Sequence, residues 1–133
     1  MQLQESLTRI RKSTGIEDPD VAKRLIMSSL ETLGELLPKA ERIRIGAPLS
    51  RELREAFTSD RSQDTFTLEE FYNRISSRTD LGYPEAKDGA MAVMQLIRET
   101  MGPNEIKEIQ RSLPDGFQEL FSGRPKGPLS PSA

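Results

Sequence analysis

Apolar residues recur along the chain in steps of three and four, and no Val/Ile/Thr run interrupts them. Leu3, Leu7 and Ile10 share one helical face, and the spacing predicts a helix from about Leu3 to Thr14, with Gly15 placed to end it. A second helix is predicted from Pro19 to about Leu37. Asp18 is its cap, Pro19 its first residue, and Ala22, Leu25, Ile26, Ser29, Leu30, Leu33 and Leu37 its inner stripe. Pro38 opens a short helix ending near Gly46, and Ser50 to Thr58 forms another, with Leu53 and Phe57 four residues apart.

The pattern then starts again. Thr67-Leu-Glu-Glu70 has the form of a capping box, in which hydroxyl and carboxylate each satisfy a backbone N–H, and the helix behind it carries Phe71 and Ile75. Pro84 begins a long helix ending at Met101 before Gly102-Pro103, a short helix follows to about Ser112, and Pro114 is expected to open the last one. Within the long helix, Gly89-Ala-Met-Ala92 has small side chains that let a partner helix come close.

LSRELREAF at Leu49 is echoed 64 positions later by LPDGFQELF at Leu113. Under the same shift Ala22 meets Ala86, Lys23 meets Lys87, Glu35 meets Glu99, Glu41 meets Glu105, Ile45 meets Ile109 and Phe57 meets Phe121. One residue of slip pairs Arg9-Ile10 with Arg74-Ile75 and Pro19 with Pro84. The expectation is therefore all-α: a compact helical bundle of two tandem repeats, at about 3–58 and 66–122, forming one domain over 1–123. A unit of that size has a marginal core alone, and two packed together bury each other's stripes. The polar joint TSDRSQDTF spans 58–66. The tail over 124–133, rich in Pro and Gly, is expected to be disordered.

Composition supports the helices and narrows the chemistry. Charged residues make up 30% of the chain and aromatics 5%, and the net charge is −2, so it lacks the footprint of a general nucleic-acid binder. No apolar run reaches the roughly 20 residues that span a bilayer, and the N-terminus has no signal-peptide core. With no cysteine, a cytoplasmic location is expected. The chain also has no His and no Trp. Ser-His and Cys-His nucleophile pairs, Cys/His zinc sites and His bases are thereby removed. No phosphate-binding glycine loop is present, and no cofactor or metal is expected.

The stretches LTRIRKSTGIEDPDVAKRLIMSSLETLGELL and PLSRELREAF, with their echoes FYNRI, PEAKDGAMAVMQLIRETM and SLPDGFQELF, resemble the domain-of-unknown-function family numbered 2267. The resemblance covers roughly residues 3 to 122 and is most specific at LETLGELL and at Leu113-Pro114, where the first half reads Pro48-Leu49 instead. It implies a small, mostly helical protein, often with two such copies. It brings no activity with it.

Three groups of residues are candidates for function. The carboxylate pairs Glu69-Glu70, Glu105/Glu108 and Glu31/Glu35 have the residue types of acid–base or metal chemistry, but capping or solvation explains them, and the recurrence of Glu35/Glu99 suggests a structural role. Met91, Met94 and Met101 suit either core filling or an adaptable groove. The third group is basic. Residues 39 to 54 carry Lys39, Arg42, Arg44, Arg51 and Arg54 against Glu41 and Glu52, whereas the equivalent window holds Lys107 and Arg111 against Glu105, Glu108 and Asp115. Arg42, Arg44, Arg51 and Arg54 are the candidate partner-binding residues, expected to form one exposed face for an acidic protein partner. Self-association, one half against the other half of a neighbour, is the alternative use of the same charges. The reading is a non-enzymatic protein-binding or scaffold module. An enzyme using carboxylate or Lys/Tyr chemistry, or anion or nucleic-acid contact through 39–54, stands as the alternative.

Overall fold

The computed structural model describes residues 2–122. Among them the chain forms eight helices and no strand: α1 (Leu3–Thr14), α2 (Pro19–Glu35), α3 (Lys39–Gly46), α4 (Arg51–Phe57), α5 (Leu68–Thr79), α6 (Tyr83–Thr100), α7 (Pro103–Ser112) and α8 (Gln118–Ser122). The tail expected over 124–133 lies outside the described residues.

Local chemistry places most of these boundaries. Gly15 adopts φ 77° and sends its N–H to the Arg11 carbonyl, ending α1. The Asp18 carboxylate accepts the Asp20 N–H at 2.9 Å, and Pro19 takes the first turn of α2. At α5 only half of the expected capping box forms. Thr67 Oγ1 accepts the Glu70 N–H, but the Glu70 carboxylate turns to the Arg74 guanidinium at 2.9 Å. The last helix starts at Gln118, not Pro114, because the chain first turns through Gly116 at φ 98°.

The two long helices, α2 and α6, pack against one another at the centre. Around them α1 lies against α6, α5 against α2, α4 against α2 and α8 against α6, while α3 meets α7. Thus α1 and α5 each pack on the long helix of the other half, as well as on their own neighbour. The expected stripe of α2 is buried throughout, and one buried cluster runs from Leu7 to Phe121, including Phe57, Met94 and Met101. With Met91 also buried, these three methionines fill the interior. Gly89 allows the central contact: a Cβ there would fall 2.7 Å from Leu25 Cδ2. Gly34 is tighter still, with a Cβ position 2.4 Å from the Phe57 carbonyl oxygen.

No helix among the described residues is long and apolar enough to cross a membrane.

Candidate functional site

The four candidate arginines do not share one exposed face. Arg42 is buried, 1% exposed. Its Nε donates to the Leu37 carbonyl at 2.8 Å, and its Nη1 donates to the carbonyls of Ser59 at 3.0 Å and Arg61 at 2.7 Å. Arg42 therefore pins the α4–α5 connector to the end of α2. Loss of hydration pushes its pKa down, and Glu35 and then Asp60 partly offset this. The sequence carries one signal of this: the 64-residue shift sets Arg42 opposite Ile106, which is also buried.

Arg44, Arg51 and Arg54 are exposed, but each has an internal partner. Arg44 pairs with Glu108 of α7, Arg51 with Glu55 one turn along α4 at 3.1 Å, and Arg54 donates to the Leu49 carbonyl at 3.4 Å. Lys39 pairs with Asp60. The positive charge counted along 39–54 is thus largely matched by carboxylates of the connector, α4 and α7. Beside these arginines α3 presents an apolar edge: Ala40, Ile43 and Ala47 are exposed, followed by exposed Pro48. Ile43 is 65% exposed, while Ile45 on the opposite side is buried.

The main polar cluster lies elsewhere, where α2, α5 and the connector meet. Glu35, 4% exposed, has Arg74 Nη1 at 2.9 Å on Oε1 and Arg78 Nη1 at 2.8 Å from Oε2, with Arg61 Nη1 at 3.5 Å. The Arg78–Oε2 contact is an ion pair and not a hydrogen bond; Arg78 donates from Nη1 to Thr32 Oγ1 at 2.6 Å and from Nη2 to Glu35 Oε1 at 3.3 Å. Arg74 uses its whole guanidinium: Nε on Glu70, Nη1 on Glu35, Nη2 on Asp64, with its plane 3.8 Å from the Phe66 ring centroid. Burial would lower the Arg74 pKa, but the bonds to Asp64, Glu70 and Glu35 outweigh it and hold the group above its ordinary value. The same bond from Arg74, helped by the Thr65 N–H, depresses Asp64. Arg61 completes the set by gripping Glu31 at 3.0 Å. Each of these arginines pairs with at least one carboxylate, so the cluster is a clasp holding the connector on α2. Glu31/Glu35 and Glu70 are taken up in it, and Glu105 Oε1 caps α7 by accepting the Gly102 N–H at 3.1 Å.

An all-helical bundle of this kind defines the class. The family described as an uncharacterized conserved protein, DUF2267, matches residues 3–120, and the chain belongs to that family. No curated protein matches the chain.

Proposed function

We propose that the protein is a non-enzymatic protein-binding or scaffold module of the cytosol, with the outer edge of α3 and the start of α4 as its contact surface. Ile43 carries this reading. It is the most exposed large apolar side chain among the described residues, on a helix whose other side is packed, and Ala40 and Ala47 extend it into a stripe. Apolar centres bordered by arginine are the composition of protein interfaces. Arg44, Arg51 and Arg54 stand beside the stripe, where they favour acidic groups on a partner.

The bundle is also read as two copies of one unit about a pseudo-two-fold axis. In support, Arg44 and Glu108, equivalent under the 64-residue shift, contact each other, as equivalent positions do at an isologous contact. Arg74 pairs with Glu35 and Arg9 with Glu99, the same cross-contact made twice.

Capture from native lysate, with identification of what is bound, tests the binding surface. Ile43→Asp and Arg51→Glu/Arg54→Glu should each keep the fold and lose one and the same protein, which then rebinds the purified wild type. Equal capture by both variants overturns the proposal.

A further inference from the structure

We propose that a cleft between the start of α5, the start of α6 and the α7–α8 turn binds a cationic side chain, an arginine or lysine of a partner polypeptide. The site is separate from the α3 edge. Its cavity is about 430 Å³. Tyr72 and Tyr83 form its aromatic wall, their rings edge-to-face with centroids 5.9 Å apart. Tyr72 is buried and its hydroxyl donates to Glu119 Oε1 at 3.2 Å, so the ring is held in place, whereas Tyr83 is 36% exposed. Three carboxylates line the cavity, from Glu69, Asp115 and Glu119, against one ammonium, Lys87, a balance of −2.

Lys87 already shows what the wall accepts. Its Nζ lies 5.9 Å from the Tyr72 ring centroid and 3.4 Å from Glu119 Oε1, an ammonium held between a ring and a carboxylate. One cation does not saturate the cleft. Glu69 and Asp115 are exposed and have no ion pair or hydrogen-bonded side-chain partner among the described residues. A second positive group gains from the ring quadrupole and from both carboxylates, while a neutral or anionic ligand gains from neither.

The fold does not require this set of residues. A 65-residue shift places Gln4, Leu7 and Asp18 where the cleft has Glu69, Tyr72 and Tyr83, and the 64-residue shift places Lys23, Arg51 and Glu55 where it has Lys87, Asp115 and Glu119. Those counterparts include no aromatic residue and carry a net charge of zero. The rings and the surplus negative charge are peculiar to this end of the molecule.

The test is unusually clean because the protein has two tyrosines and no tryptophan, and both tyrosines line the cleft. Intrinsic tyrosine emission therefore reports on this site alone. The probe is a short arginine-rich peptide without aromatic residues, titrated at low salt, with a glutamate-rich peptide as control. The expected result is a saturable change in emission with the arginine peptide only, weakened by added salt. The exposed-site variant Glu69→Gln/Asp115→Asn, with unchanged helical circular dichroism, should raise the Kd roughly tenfold. No saturable change in the wild type, or an equal Kd in the variant, overturns the proposal.

Discussion

Arg44 on α3 and Glu108 on α7 form an ion pair although 64 residues separate them, the same interval at which LPDGFQELF echoes LSRELREAF. Identical residues at two such positions would face each other with like charge. Opposite charges at equivalent sites turn that repulsion into attraction, which accounts for part of the charge difference between the two windows. The pair is partly solvated, so it is worth about 0.5 kcal/mol. Glu108→Arg should lower stability modestly, and Arg44→Glu added to it should restore the loss, as read in a double-mutant cycle of denaturant midpoints. Additive losses would mean the two side chains do not interact.

Glu35 and Glu99 align under the 64-residue shift but have different surroundings. Each pairs with an arginine of the other half, yet Glu35 is 4% exposed and meets three guanidinium groups, while Glu99 shares a solvent-exposed pair with Arg9. Glu35→Ala should cost about 3 kcal/mol, the low end for breaking a buried pair, because its arginines reach solvent. Glu99→Ala should stay within about 0.5 kcal/mol. Chemical denaturation of the two variants checks the contrast.

The 64-residue echo makes this partly legible in the sequence. Arg9 aligns with Arg74 and Glu35 with Glu99, and the recurrence pointed to a role within the unit. Their mutual contact was not legible, since a linear alignment says which residues are equivalent and not which cross between halves. Helix boundaries follow from caps and prolines to within about two residues because those signals act within one turn, and the largest shift is at α8, where the turn through Gly116 delays the start from Pro114 to Gln118. Arg42 departs from the expected exposed face because an arginine is ordinarily a surface residue, and two of the three carbonyls that satisfy it come from a connector with no pattern of its own. The tyrosine cleft is not legible in the sequence because its residues come from three separate stretches of the chain.

Asp64 makes stability depend on acid. Its carboxylate is depressed below the ordinary value of 3.8, first by the bond from Arg74 and then by the Thr65 N–H. A depressed folded-state pKa stabilises above the unfolded value, and that contribution is lost as pH falls below 3.8 toward the folded value. Asp64→Asn should therefore be less stable than wild type near neutrality, with the two converging in acid. Thermal melts across that range check it, and a constant difference down to the lowest pH would assign the effect to something other than the carboxylate.

The crossed packing of α1 on α6 and of α5 on α2 joins the two halves in one buried cluster, so the two are expected to unfold together. Equilibrium unfolding in denaturant, followed by two signals at once, tests this most directly. Far-ultraviolet circular dichroism reports all the helices, whereas tyrosine emission reports only α5 and α6, which carry Tyr72 and Tyr83. Coincident single transitions are predicted, with the same midpoint from both signals. A two-step loss of helix in which tyrosine emission follows only one step would contradict a shared core and make the two halves independent domains.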